Sequence, residues 1–269
     1  MPTIDANGMT IHYEVSGAGE PLLLLHGLGS CGDDWQLQVP VFAWHYQVVT
    51  ADMRGHGRPS KPPGPYSVPM MAADVLALLD ALEIKDAHIV GLSMGGMIAF
   101  QLAVDQPGRV RSLIIVNSVA ALVPRTLSEK CLVWARVALA RLFGPAATAR
   151  FLSRRLFPKP EQTIFRERLE RQWATNDRQA YLAAMDALVG WSVMDRIHQI
   201  PCSVLVISGD RDYLSADAKL ECTRLMPDAR FITVEDSGHA TPIDQFVIFN
   251  RLVLDFLSEV DTRYPTDDG

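Results

Sequence analysis

Cysteine is scarce in this chain, with four residues among 269. Cys31, Cys131, Cys202 and Cys222 lie far apart and form neither a CxxC pair nor a spacing shared with histidine. That excludes a zinc ribbon or finger and a disulfide framework. The expectation is buried or partly buried free thiols, as in a reducing compartment. No motif calls for a metal or an organic cofactor. No apolar run approaches the roughly 20 residues that a membrane-spanning helix needs. The opening Met1-Pro-Thr-Ile-Asp-Ala-Asn-Gly8 has no basic region followed by an apolar one, so it does not read as a secretory signal. Basic residues are in the minority, and a net charge of −6 argues against nucleic acid or an acidic membrane surface as a partner. Repeats and low-complexity tracts are also missing. These absences leave a cytoplasmic protein acting on a small molecule, with self-association into a homo-oligomer left open.

What is present is a core. Hydrophobic residues make up 48% of the chain, enough at this length to bury a sizeable interior without staples. Two β-prone segments, Thr3–Ala6 and Thr10–Val15, flank Asn7-Gly8, a hairpin-turn signal because both residues tolerate positive φ. Continuous apolar runs follow at Pro21–Leu25, Tyr46–Thr50, His88–Gly91, Leu113–Val116, Ser203–Ser208 and Phe231–Val234. Runs of this kind suit strands covered on both faces. Helical patterns separate them at Met71–Leu82, Met94–Gln106, Ala216–Met226 and Pro242–Glu259. Strand then helix, repeated, predicts an α/β fold with a mostly parallel sheet of about eight strands.

The alternation lapses between Val119 and Gln199. There Leu127, Cys131, Trp134, Ala138 and Leu142 recur at helical spacing, and nothing reads as a buried strand. The predicted organisation is a core in two parts, 1–118 and 200–269, interrupted by a helical cap over 119–199.

Gly91-Leu-Ser-Met-Gly95 is a G-x-S-x-G pentapeptide lying between an apolar strand and a helix. Such a turn presents its serine clear of the sheet, at the positive end of the helix, and leaves room only for glycine nearby. Ser93 is therefore the candidate nucleophile. A serine hydroxyl needs a base, and the base needs an acid to orient it. His239, in Asp236-Ser-Gly-His239 before the last helix, is the candidate base. His26 and His56 read as braces of Gly-flanked loops, and His12, His45, His88 and His198 as surface or core residues. Gly209-Asp-Arg-Asp212 ends a predicted strand, where open α/β sheets carry their ligand sites, and both Asp210 and Asp212 qualify by position.

Together these segments resemble the α/β-hydrolase superfamily over nearly the whole chain. His26-Gly-Leu-Gly29 resembles its oxyanion loop, Asp52-Met-Arg-Gly-His-Gly57 its Asp-x-Arg-Gly-x-Gly loop, and Gly91–Gly95 its nucleophile elbow. Gly209-x-x-Asp212 and Gly238-His239 resemble its acid and histidine loops. The resemblance favours Asp212 as the triad acid and implies an oxyanion hole made by the backbone N–H groups of Leu28 and Met94. It implies acyl transfer without a cofactor, on a short- or medium-chain carboxylic ester. Serine at the elbow, where dehalogenases and epoxide hydrolases of the superfamily carry aspartate, speaks against those activities. The alternatives on the same triad are lactone hydrolysis, carbon–carbon bond hydrolysis of a ring-cleavage product, and cofactor-free perhydrolysis. A ligand receptor that keeps the fold is a further one. Within the cap, Trp134, Trp173 and Trp191 are candidate pocket residues or simple packing between cap and core. Arg136, Arg141, Arg154 and Arg155 read as a solvated face, with an anionic-substrate clamp as the alternative.

Overall fold

The structure, a computed structural model, describes residues 2–58, 61–124 and 126–263. Met1, the first residue of the segment read above for a signal, and the last six residues of the 200–269 segment lie outside the described residues. Strands β1 (Thr3–Ala6), β2 (Met9–Ser16), β3 (Glu20–Leu25), β4 (Tyr46–Ala51), β5 (Ala87–Leu92), β6 (Val110–Val116), β7 (Ser203–Gly209) and β8 (Ala229–Val234) form one sheet. Their order is β1-β2-β4-β3-β5-β6-β7-β8. The β1–β2 and β2–β4 pairs are antiparallel, and every later pair is parallel. The hairpin turns at Asn7-Gly8, with φ of 49° and 73°, the left-handed geometry of a two-residue turn.

Period-two alternation divides the sheet between two cores. Leu23 and Leu25 of β3 join Ile89, Leu113, Val204 and Val206 on one face, beneath the Val68–Ala81 and Met94–Asp105 helices. Leu22 and Leu24 join Val90, Ile114, Leu205 and Ile207 on the other, where the Phe246–Arg263 helix packs with Trp35 and Phe42. Both faces being covered explains why these strands are apolar throughout. The final helical pattern is split: a short Thr241–Asp244 turn precedes the Phe246–Arg263 helix, with Gln245 between them.

Three longer helices stand between β6 and β7: Leu127–Leu156, Thr163–Ala174 and Arg178–Leu188. The first opens on a capping box in which Thr126 and Glu129 bond each other's backbone N–H groups. It bends at Gly144, whose φ of 78° is followed by Pro145, a residue that cannot donate to the helical ladder. Ala149, Leu152, Tyr181, Ala184 and Leu188 from this region join the first of the two cores, so helices and sheet share one interior. A single bridge, Ala121 to Ser192, ties the two ends of the region together.

Two expectations are corrected here. The stripe from Leu127 to Leu142 faces outward, because this stretch of helix turns a different side, that of Arg136, Val137 and Ala140, toward the interior; Trp134 is 70% exposed and lines no enclosed pocket. All four cysteines are free thiols, but Cys131, on that same outward stripe, is exposed. Among the described residues, no helix is long and apolar enough to cross a membrane.

Candidate active site

Each loop singled out in the sequence leaves the C-terminal edge of a parallel strand, the edge at which open α/β sheets hold ligands. Ser93 follows β5 with φ 54° and ψ −113°, a conformation that L-residues rarely adopt. Its surroundings demand glycine. A Cβ on Gly95 would come within 2.2 Å of the Leu25 carbonyl oxygen, and one on Gly91 within 2.5 Å of the Gly95 carbonyl oxygen. Ser118 Oγ donates to the Ser93 carbonyl at 2.6 Å and steadies the turn from β6.

Beyond β7 and β8, His239 Nδ1 donates to Asp212 Oδ1 at 2.6 Å. That leaves Nε2 as the unprotonated nitrogen of the neutral ring, and Nε2 is buried with no hydrogen-bond partner. Asp210 does something else: it accepts the backbone N–H of Ser237 at 2.9 Å and so anchors the histidine loop rather than the histidine ring. The two aspartates that the sequence left open by position are thus distinguished by geometry. The Tyr213 ring stacks on His239, centroids 4.1 Å apart.

Two residues of this site were not singled out in the sequence. Lys219, fully buried, donates from Nζ to Asp212 Oδ2 and, at 2.7 Å, to Ser208 Oγ. Burial pushes the Asp212 carboxyl upward, but His239 and then Lys219 outweigh it and hold it below the usual carboxylate range. Burial also lowers the Lys219 ammonium, against the pull of Asp212. Asn117, after β6, adopts a φ of 45°. Its amide donates to the His239 carbonyl and to Thr241 Oγ1, both at 2.8 Å, while its Oδ1 accepts the Gly209 N–H at 2.8 Å. One side chain therefore ties the acid loop to the histidine loop. A lysine on the buried side of the Ala216–Leu225 helix was the only sequence signal for the first, and nothing marked the second.

The glycine-rich loop after β3 lies against the elbow, since a Cβ on Gly27 would sit 3.5 Å from Ser93 Cβ. Leu28 and Met94 are both buried. Met94 opens its helix, where the first N–H groups have no intrahelical acceptor. Trp173 packs directly on this loop, filling the space that a side chain on Gly29 would need. Trp191 instead donates from Nε1 to Gln101 Oε1 at 2.7 Å, which ties it to the Met94–Asp105 helix.

His26 and His56 brace the loops around the His26–Gly29 segment. His26 donates from Nδ1 to the Gly27 carbonyl and accepts the Met53 N–H at Nε2, which fixes a neutral ring. His56 donates to the Arg54 carbonyl at 2.9 Å. Asp52 accepts the backbone N–H groups of Gly32 and Arg58, and Arg54 forks onto Asp74. Burial pushes His26 from 6.5 down to about 4. Burial, with His26 beside it, takes His56 down to about 3. Between these values and pH 6.5 the unfolded chain binds protons that the native state refuses, so stability rises with pH over that window and falls on acidification. Melting temperatures recorded from pH 7.5 to 4 are expected to drop most below pH 6.5. A His56→Asn variant, which keeps a donor for the Arg54 carbonyl, is expected to drop less. An identical pH dependence for the two proteins would show that His56 does not contribute.

Residues 20–246 match the family model described as the alpha/beta hydrolase fold. The chain belongs to the alpha/beta hydrolase fold family. It is 31% identical over 97% of its length to all of the Azorhizobium caulinodans protein named "Putative carbamate hydrolase RutD". It is 30% identical over 93% of its length to 94% of 3-oxoadipate enol-lactonase 2 of Acinetobacter baylyi. The enol-lactonase of Burkholderia xenovorans superposes with a TM-score of 0.89 at 27% identity, covering 96% of this chain and all of that one. Among these relatives of the α/β-hydrolase fold, hydrolysis is the shared chemistry, and the protein is a hydrolase.

Proposed function

We propose that this hydrolase cleaves small carboxylic esters by acyl transfer to Ser93. The observation that carries the reading is the His239 ring, with Nδ1 held by Asp212 at 2.6 Å and Nε2 buried and unpartnered. A base oriented in this way can take one proton and later return it. Ser93 Oγ attacks the acyl carbon as His239 Nε2 takes the hydroxyl proton. Asp212 stays ionised and stabilises the imidazolium. The N–H groups of Leu28 and Met94 receive the developing oxyanion, a role in which a single donor contributes about 10²–10³ in rate. His239 then gives its proton to the leaving alcohol and activates water to release the acid from Ser93.

The lactone is the second reading, because a lactone is an internal ester and two of the relatives above are named for cleaving an enol-lactone. Steady-state rates on p-nitrophenyl esters of graded chain length, beside five- and six-membered lactones, separate the two. Turnover of the open esters with an optimum at short or medium chain length is the expected result. A kcat/KM for a lactone more than tenfold above that for the best ester would move the assignment to lactonase. No turnover of either class would remove both and bring forward carbon–carbon hydrolysis, perhydrolysis or a receptor role.

A further inference from the structure

The four cap arginines do not behave alike. Arg141 forks onto Asp186 at the surface, and Arg154 and Arg155 are exposed. Arg136 turns inward, which corrects its reading as part of a solvated face. Its Nε is closed off from solvent and makes no hydrogen bond. The ionisable groups that act most on it are the phenols of Tyr213 and Tyr181, and among the described residues it forms no ion pair with a carboxylate. Nη1 donates to the Tyr213 hydroxyl at 3.3 Å, and the guanidinium carbon lies 5.7 Å over that ring. The Tyr181 hydroxyl, fully buried beside it, is likewise unpartnered.

A guanidinium with a buried, unpaired nitrogen and no counter-ion among the described residues is costly, and two phenols do not supply the missing charge. The place of the cluster in the fold says what does. In one direction Tyr213 stacks on His239, the ring set beside Asp212. In the other, Tyr181 packs on Trp173 with centroids 5.9 Å apart, and Trp173 presses on Gly29 of the oxyanion loop. The cation thus stands in the cap between the two halves of the reacting centre, each reached through aromatic contacts.

We propose that Arg136, with the hydroxyls of Tyr181 and Tyr213, forms a carboxylate subsite, so that the substrate is an ester-like molecule carrying a second, ionised carboxyl group remote from the bond that is cut. The guanidinium supplies the charge and the fork that a carboxylate matches. The two phenols add neutral donors. This inference rests on the ester-hydrolase reading of Ser93 and narrows its substrate class.

Binding tests the subsite without turnover. Ser93→Ala protein is titrated with the monomethyl esters of succinate, glutarate and adipate, and with methyl butanoate, pentanoate and hexanoate as partners lacking the carboxylate. At least one half-ester is expected to bind about tenfold or more tightly than its neutral partner. In the Ser93→Ala background, Arg136→Met is expected to reduce that preference about 10- to 100-fold, and Arg136→Lys to retain part of it. Because Arg136→Met removes an uncompensated charge, the variant is expected to melt no lower than its parent. Tyr181→Phe, which deletes a single oxygen, provides a gentler second variant and is expected to reduce the preference severalfold. A preference unaffected by both substitutions, or no half-ester favoured over its neutral partner, overturns the subsite. If wild-type protein hydrolyses nothing while the Arg136-dependent preference persists, the subsite stands and the hydrolase reading of Ser93 fails. If esters are cleaved with the same selectivity after Arg136→Met, the reverse holds.

Discussion

Ser93→Ala is expected to lower kcat/KM on the best substrate by about 10⁴ or more while leaving a folded protein. The size follows from chemistry: without the hydroxyl no acyl-enzyme forms, and only oxyanion stabilisation and binding remain. Residual activity above about one per cent would exclude Ser93 as the nucleophile. A second substitution separates the chemical role from its structural cost. Ser93 is held at φ 54° and ψ −113°, where a Cβ is strained and glycine is not. Ser93→Gly is therefore expected to be as inactive as Ser93→Ala but more stable than wild type by about 1–3 kcal/mol. Stability gained on deleting the side chain proposed as the nucleophile would identify the elbow as a place where strain is kept for function.

The Asp212–Lys219 pair carries the second large effect. Both side chains are almost wholly out of solvent, so removing either leaves the other's charge stranded. Lys219→Met is expected to cost about 3–5 kcal/mol in chemical denaturation. Asp212→Asn is expected to lower hydrolysis about 10⁴-fold, because His239 loses the partner that fixes its tautomer. Combining the two removes both charges, and the double variant is expected to recover most of the stability but none of the activity. Additive losses in stability would mean that the two groups do not compensate each other. In whatever active Lys219→Met protein folds, the acid limb of the rate profile is expected to move to higher pH. Burial already pushes Asp212 upward, and Lys219 is one of the two groups opposing it.

Asn117 and Lys219 show why parts of the site were not legible in advance. Asn117 acts on loops some 90 and 120 positions later, and Lys219, though only seven positions from Asp212, reaches it from the following helix across the loop between them. Neither belongs to a run whose period or spacing is unusual. A polar residue at the end of a strand is ordinary until the neighbouring loops are known. Arg136 is similar, since an arginine on an amphipathic helix says nothing about which way it points. Trp134 shows the opposite error, where an apolar residue at helical spacing was grouped with an inward face that the helix builds instead from Arg136, Val137 and Ala140.

What the sequence by itself determined is whatever depends on local chemistry and period. Six continuous apolar runs and the two segments flanking Asn7-Gly8 became eight strands, the central ones apolar throughout because their residues alternate between two covered faces. The Gly-Leu-Ser-Met-Gly turn marked Ser93, because only glycine tolerates the backbone contacts around it. The two aspartates were equivalent by position and only the family resemblance favoured Asp212; the tertiary structure alone decided which residues hold the Asp212–His239 pair in place and which side chains of the helices between β6 and β7 turn toward the site. Those outcomes depend on loops from different strands converging at one sheet edge and on how the helices between β6 and β7 pack against them. Contacts of that kind are set by packing between distant segments, and no local pattern encodes them.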